Sequence, residues 1–473
     1  MIVRNEEKSL PACLQSVSGL VDEIVVVDTG STDQTRAVAS AHGARVVEFA
    51  WCDSFAAARN ESLRHATGDW IFWMDADDRL DSVNRERFRQ LRANLPDANV
   101  AYLMACWCAV DAGVGAADVV HHIRLFRSHP EIRFEYRVHE QVLPSIARLG
   151  GSVQSSDVVI HHVGYQTAAD SRRKHERNLR LLQLDLAEAP NNPFTLFNLG
   201  WTLQVLGRYR EAIPYLRQGL ALAPPHEPMV RKLCAVLVLC HEQLGEVAEA
   251  LAVSRHARSL YPDDEELLFR EGVLRMEAGD VVGAEECLWA ILRLPARSQV
   301  CAGVDTALRG KTRHNLAVLY RSQGRLAEAE AQWRAALAEG PDFGPLWAEL
   351  TALWVSQGRW DELLAAGQQL ESDPQRWAEA AVVRSAILEG QGHVAEARRV
   401  LEAAIVREPR SLILRMAHSA LLLREGRDWQ AMVEAQRALL ALQPNYTLAH
   451  QRLAALLQQR PAGVVPQTQV VSW

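Results

Sequence analysis

The stretch Glu23-Ile24-Val25-Val26-Val27-Asp28-Thr29-Gly30-Ser31-Thr32-Asp33 decides the fold of the N-terminal part. Ile24 to Val27 are four β-branched residues in a row. Such a run suits a strand buried on both faces, as in a parallel sheet. It stops at an Asp followed by turn residues. Ser31 or Thr32 is placed to cap the next helix, with Asp33 in its first turn near the positive dipole end. The helix continues through 37–41, and Gly43 ends it. The alternation then repeats. Val46-Val47-Glu48-Phe49 reads as a strand, and 55–66 as a helix stopped by Gly68. Trp70-Ile71-Phe72-Trp73-Met74 reads as a buried strand ending in Asp75-Ala76-Asp77-Asp78. This order predicts an α/β sandwich with a mostly parallel sheet.

From residue 192 the chain changes style to Ala/Leu-rich sequence with Gly and Pro at intervals near 34 residues. Gly200, Gly207, Ala212 and Pro224 sit where a tetratricopeptide repeat has its small residues, its second-helix Ala and its closing Pro. The frame returns as Gly245/Ala250/Pro262, Gly324/Ala329/Pro341 and Gly392/Ala397/Pro409. Weaker copies are Gly272/Gly279/Ala284 and Trp347/Gly358/Leu363, and Gly426/Ala431/Pro444 is one residue longer. The small residues let paired helices approach, and stacking buries a core that no single repeat could bury. Asp170 to Pro190 is charged on one face and carries Leu179, Leu182 and Leu186 at helical spacing, so it reads as a connecting helix. Residues 295–311 break the period and read as a longer loop, and 461–473 as a frayed tail. The expected division is 1–168, an α/β domain; 169–191, a connecting helix; 192–460, an all-α repeat solenoid; and 461–473, a tail.

Composition narrows the function. Of 473 residues, 51 are Lys or Arg and 58 are Asp or Glu, a net charge of −7. No global basic field is available for a nucleic-acid backbone. No apolar run reaches the ~18 residues of a membrane span. The first ten residues are charged within four positions, unlike a signal peptide. Eight Cys form no CxxC pair, which reads as reduced thiols in a cytoplasm. Cys106 and Cys108 alternate on an expected strand and read as core thiols rather than half of a zinc site.

The acidic run 75–78 is the sharpest chemical feature. Carboxylates directly after an apolar strand lie at the C-terminal edge of a sheet, where open α/β folds bind ligands. They repel a pyrophosphate, but they can hold Mg²⁺ or Mn²⁺, which neutralises one. Asp28 ends a strand at the same edge and can accept a hydrogen bond from a base N–H or a sugar hydroxyl. The Arg59 guanidinium can grip phosphate oxygens through two bonds.

These motifs, in this order, resemble family-2 glycosyltransferases of GT-A fold. The resemblance runs through Arg4-Asn5-Glu6-Glu7, the 23–33 stretch, Ala58-Arg59-Asn60, Ala66-Thr67-Gly68-Asp69-Trp70 and Asp75-Ala76-Asp77-Asp78. It covers roughly residues 1–80. Joined to the repeats, it resembles bacterial glycosyltransferases with a C-terminal repeat domain, a group that includes peptide S-glycosyltransferases. The resemblance implies a Rossmann-like, mostly parallel sheet and a nucleotide-sugar donor, most often UDP-linked. It assigns Arg4, Asn5 and Glu6 to the donor site, Asp28 to the base, Arg59 and Asn60 to the base and phosphate pocket, Asp75 to the ribose or metal, and Asp77 to the Mg²⁺ or Mn²⁺ ion. The family has a complete first strand before the segment matching Arg4-Asn5. Here three residues precede it, which leaves either a very short strand or a start downstream of the natural one.

Inverting transfer is a single displacement and needs a base near the acceptor hydroxyl or thiol. Glu135 and Glu140 are candidates. The pair His139-Glu140 resembles the motif of the repeat-bearing subgroup, which favours Glu140, with His139 orienting it or contacting a phosphate. A His after the last sheet strand completes the metal shell in many GT-A enzymes, which points to His162. Arg124 is a candidate for donor or acceptor binding.

The leading expectation is a cytoplasmic metal-dependent glycosyltransferase. Its acceptor is a protein or peptide held along the concave repeat surface, or a glycan, and the same surface can hold a protein partner. A repeat scaffold with an inactive α/β domain is the alternative, and nucleotidyl transfer ranks third because no Gly-rich phosphate loop with a Lys is present.

Overall fold

Ile2–Val3 (β1), Val25–Asp28 (β2) and Arg45–Glu48 (β3) form a three-stranded sheet in the order β1-β2-β3, with both ladders parallel. All four residues of β2 are buried, as its β-branched run requires. Two helices accompany this sheet. Leu10–Val17 (α1) starts with Pro11 in its first turn, and Thr35–Ala41 (α2) follows the loop after β2. Val3, Leu10, Leu14, Val26, Ala39 and Ala76 share one buried cluster. The computed structural model describes residues 1–108, 118–164, 168–225, 227–295, 308–339, 345–443 and 446–459.

Phe55–His65 (α3) is capped by Ser54, whose hydroxyl accepts from the Ala57 N–H at 3.1 Å. It leads to Trp70–Phe72 (β4), Asp78–Arg79 (β5) and Ser82–Ala93 (α4). Val100–Cys108 (β6), Asp118–Arg127 (β7), Leu143–Arg148 (α5) and Ser152–His162 (β8) complete the sheet region. The second sheet has the order β4-β7-β6-β8-β5. Within it, β6 and β8 run parallel, while β4–β7, β6–β7 and β5–β8 are antiparallel. The mostly parallel character is therefore that of the β1–β3 sheet, and the region as a whole is a mixed α/β fold. Met74, Phe88, Met104, Leu125 and Ile160 fill the core of the second sheet. Cys106 is buried there, as a core thiol.

One local expectation changes. α2 begins at Thr35, so Asp33 precedes the helix rather than entering its first turn. Its Oδ1 accepts from the Thr35 N–H at 3.0 Å. Ser31 and Thr32 do not cap α2 either. Ser31 Oγ accepts from the Asn5 N–H at 2.9 Å, and the Thr32 N–H donates to Asn5 Oδ1 at 2.8 Å. The loop after β1 and the loop after β2 are thereby clasped together.

Helical structure begins at Ala168–Glu188 (α6), within the stretch expected to connect the two parts. Pro193–Val205 (α7), Tyr209–Leu222 (α8), Pro228–Gln243 (α9), Val247–Leu260 (α10) and Glu265–Glu277 (α11) follow. Asn192 caps α7, accepting from Phe194 and Thr195. A Cβ on Gly200 would lie 2.4 Å from Leu216 Cγ, so α7 and α8 meet at a distance that only Gly permits. Gly207 sits at φ 75° where α7 ends, a conformation natural to Gly. Met1–Ala278, which takes in both sheets and α6 to α11, is one compact unit.

The described helices from Gly279 on belong to a second compact unit. They are Val281–Arg293 (α12), Leu308–Ser322 (α13), Leu326–Glu339 (α14), Pro345–Ser356 (α15), Trp360–Glu371 (α16), Trp377–Gly390 (α17), Val394–Arg407 (α18), Leu412–Glu425 (α19), Trp429–Leu442 (α20) and Thr447–Gln458 (α21). Ala284, Ala329, Leu363 and Ala397, the second-helix small or apolar positions of the repeat frame, are fully buried. The loop expected over 295–311 is shorter, since α13 already starts at Leu308; residues 296–307, Pro341, Pro444 and the tail 461–473 lie outside the described residues.

Candidate active site

The acidic run emerges from β4 and turns back on itself. The Asp78 N–H donates to the Asp75 carbonyl at 3.1 Å, and the Asp75 N–H donates to Asp78 Oδ2 at 2.8 Å. Pairing of β5 with β8 then sets Asp78 opposite His162. Asp78 is fully buried, and its second oxygen, Oδ1, lies 3.0 Å from His162 Nδ1. His162 Nε2 faces Asp77 Oδ2 at 3.4 Å. Asp77, Asp78 and His162 each offer a ligand atom, all within 4.8 Å of one another. With Nδ1–H donating to Asp78 Oδ1, the Nε2 lone pair is left on the side of Asp77, the arrangement that orients a metal-binding His.

Gly164 tests whether a cation fits. A Cβ there would stand 2.9 Å from Asp77 Oδ2 and 3.2 Å from His162 Nε2, so Gly keeps the space in front of both atoms open. One carboxylate and one imidazole, with the remaining positions left to ligand oxygens, suit Mg²⁺ or Mn²⁺. Burial raises the Asp77 carboxyl, His162 opposes this, and Asp75 and Asp78 add to the rise. The bond to Asp78 raises His162 above its ordinary value, against burial. Burial and nearby Asp77 also raise Glu6, which brings Glu6 within electrostatic reach of this cluster.

Two arginines flank the run. Arg124, on β7, is ion-paired with Asp78 Oδ2 at 3.0 Å and lies 3.5 Å from Asp75 Oδ2. Arg59, on α3, donates to Asp75 Oδ1 at 2.8 Å and to Glu140 Oε1 at 2.6 Å. Both guanidiniums lie over the Trp73 ring, at 3.8 Å for Arg124 and 4.1 Å for Arg59. Burial alone would raise the Asp75 carboxyl; Arg59 and Arg124 together hold it well below the usual carboxylate range. Arg59 Nη1 and Arg124 Nε are buried with no hydrogen-bond partner among the described residues.

The structure thus brings Asp75, Asp77, His162, Arg59, Arg124 and Glu140 into one network and adds Asp78, which the sequence-based expectation leaves without a task. Its signal is its place beside Asp77 at the end of an apolar strand. Other expected residues have different work. Asn60 binds the Phe134 backbone: its Nδ2 donates to the Phe134 carbonyl at 2.9 Å, and its Oδ1 accepts from the Phe134 N–H at 2.8 Å. Asp28 Oδ2 accepts from the Gly30 N–H at 3.2 Å and the Ser31 N–H at 3.1 Å, and Oδ1 accepts from the Ser31 N–H at 3.2 Å. Asn5, at φ 58°, builds the clasp with the 31–32 turn, and Arg4 is exposed. Glu135 is ion-paired with Arg148. His139 packs on the repeat side of the segment that carries Glu140. Its ring stands edge-on to Trp201 of α7, 5.9 Å between centroids, and burial holds it down to about 4.

Comparison with known proteins adds the family. The model described as "Glycosyl transferase family 2" matches residues 1–105, and two tetratricopeptide-repeat models match 193–226 and 310–338. A TPR repeat-containing protein of Synechococcus elongatus is 32% identical over 350 residues, covering 72% of this chain and 75% of the relative. The SPbeta prophage-derived glycosyltransferase SunS of Bacillus subtilis is 27% identical over 246 residues, covering 51% of this chain and 57% of the relative. A solved tetratricopeptide repeat protein of Parabacteroides merdae aligns with TM-score 0.41 and 15% identity over 61% of this chain and 94% of that one. With the acidic run, the flanking arginines and the repeats in place, the chain belongs to the family-2 glycosyltransferases that carry C-terminal tetratricopeptide repeats, and its N-terminal region is a glycosyltransferase domain.

Proposed function

We propose that this glycosyltransferase is metal-dependent and inverting, and that it moves a sugar from a UDP-linked donor to an acceptor hydroxyl or thiol. The observation that carries the reading is the Asp77–His162 pair, oriented by buried Asp78 and kept open by Gly164. Asp77 and His162 would hold Mg²⁺ or Mn²⁺, and such a cation neutralises the diphosphate charge of donor and leaving group. Arg59 and Arg124 hold Asp75 ionised beside the donor site, and the unpaired Nη1 of Arg59 is a donor for a phosphate oxygen. Arg4, Asn5, Glu6 and Asp28 shape the base end of the site, with Asp28 acting through the turn that it organises.

Glu140 takes the acceptor proton as the new bond forms at the anomeric carbon and the nucleoside diphosphate leaves from the opposite face, which inverts the centre. Arg59 occupies its Oε1, so Oε2 is the atom assigned to that proton. For function we divide the chain into a transfer domain, 1–168, a connecting helix, 169–191, and an acceptor- or partner-binding array, 192–460. Tetratricopeptide arrays bind extended chains, which supports a peptide or protein acceptor. Cys13, Cys52, Cys106, Cys234 and Cys240 are in no disulfide, which supports a reducing compartment such as the cytoplasm. No described helix is long and apolar enough to cross a membrane.

The test is hydrolysis of a panel of UDP-sugars, followed as UDP release with and without Mn²⁺. Turnover that needs Mn²⁺ and vanishes in Asp77→Ala, with helical dichroism unchanged, supports the reading. Equal turnover without any divalent ion overturns it.

A further inference from the structure

We propose that Trp201, on the first repeat helix, is a positioning residue for Glu140, so that α6 and α7 hold the reactive carboxylate in place. This rests on the assignment of Glu140 as the base. The segment from Phe134 to Gln141 is pinned at both ends. Phe134 is clamped by Asn60, and the Glu135 and Gln141 backbones exchange hydrogen bonds of 2.9 and 3.0 Å. Between these ends, four consecutive residues rest on the helices beyond the sheets. Tyr136 stacks on Phe194 of α7 at 4.4 Å. The Arg137 N–H donates to Asp185 Oδ2 of α6 at 3.0 Å, and its guanidinium pairs with Glu188. Val138 is buried in the cluster that holds Leu179, Leu182, Leu199 and Leu203. His139 meets Trp201 edge-on. The fifth residue, Glu140, turns back to Arg59.

The backbone needs this support. Tyr136 and His139 are non-glycine residues at φ 73° and 56°. Such conformations persist where the surroundings over-determine them, and they gather at functional sites. Trp201 also meets His175 of α6 edge-on, 5.8 Å away at the same interplanar angle of 75°. One nitrogen of each imidazole, His139 Nε2 and His175 Nδ1, is buried without a partner among the described residues. Both rings pack against the indole.

The Arg59 side of the ion pair is anchored on the same helices. The Phe55 N–H, at the start of α3, donates to the Arg137 carbonyl at 2.7 Å. Arg177 of α6 lies over the Phe55 ring at 4.9 Å, and Arg180 pairs with Asp53 just before it. Both partners of the Arg59–Glu140 pair thus take their position from α6 and α7.

The experiment uses the full chain with Mn²⁺, with UDP-glucose as the probe for turnover and UDP as the probe for binding. Trp201→Ala is expected to lower UDP-glucose hydrolysis ten-fold or more while the UDP Kd stays within two-fold. Trp201→Phe, which keeps an aromatic ring under both imidazoles, is expected to recover most of that loss. In a Glu140→Gln background, Trp201→Ala is expected to cost little more, because a residue that acts through Glu140 has nothing left to position. A Trp201→Ala loss repeated undiminished on top of Glu140→Gln overturns the positioning proposal and leaves the base assignment standing. Full turnover in Glu140→Gln alone overturns the base assignment itself.

Discussion

At the residue scale, the distinction that matters is between Asp77 and Asp78, two neighbours of the same type. Asp78 is fully enclosed and spends its oxygens on Arg124, His162 and the Asp75 backbone; Asp77 keeps its carboxylate half-exposed beside His162 Nε2. Gly164→Ala should therefore weaken Mn²⁺ binding by about ten-fold, roughly 1.4 kcal/mol, since the new Cβ would press on both ligand atoms. A Mn²⁺ titration followed by electron paramagnetic resonance measures this, and unchanged affinity would place the cation elsewhere. Acid should weaken binding too. The Asp78 bond keeps His162 protonated above its ordinary value of 6.5. A protonated imidazole cannot ligate, so Mn²⁺ affinity rises as pH climbs through that raised value. Without metal the same ion pair stabilises the fold below about pH 6.5 and is lost as pH passes the raised folded value. A pH-independent Mn²⁺ affinity would remove His162 from the shell. The acidic run was legible because it follows an apolar strand. The task of Asp78 was not, because its partners Arg124 and His162 arrive through the β4–β7 and β5–β8 ladders.

At the scale of elements, sequence periodicity carried the fold well where the deciding signal was local. The buried run of β2, the cap of α3 and the small residues of the repeats all have their partners within one or two turns or one repeat. It carried less where the partner is remote. Asn60, read from sequence as a pocket residue, is also a two-way clamp on Phe134, 74 positions away, which no local signal shows. Asn60→Ala removes both bonds from a half-buried backbone and should destabilise the fold by about 2 kcal/mol, read as a shift in the urea midpoint with the slope unchanged. In the first repeat, Gly200→Val places a branched side chain where even a Cβ meets Leu216 at 2.4 Å. A loss of about 1–3 kcal/mol is expected, and a melting temperature equal to that of the parent chain would contradict the close α7–α8 approach.

At the scale of the whole molecule, the boundary visible in composition and the boundary of compactness differ. Composition changes near residue 165, whereas the first compact unit runs on to Ala278. The reason is physical. Val138, Trp51 and Phe55 come from the sheet region but pack into the cluster of α6 to α10. A chain ending at residue 166 should leave these side chains in water and lose its near-ultraviolet dichroism, while one ending at Ala278 should keep it. Equal spectra for the two would show that the sheets hold the 136–140 segment unaided.

That continuous unit has a consequence for how such chains recombine. A crossover just after β8 would part Tyr136 from Phe194, His139 from Trp201, and Phe55 from Arg177. A crossover between Ala278 and Gly279 falls where the two units meet in sequence. Viable chimeras should inherit α6 to α11 together with the sheets, and exchange should be tolerated chiefly among the repeats that follow.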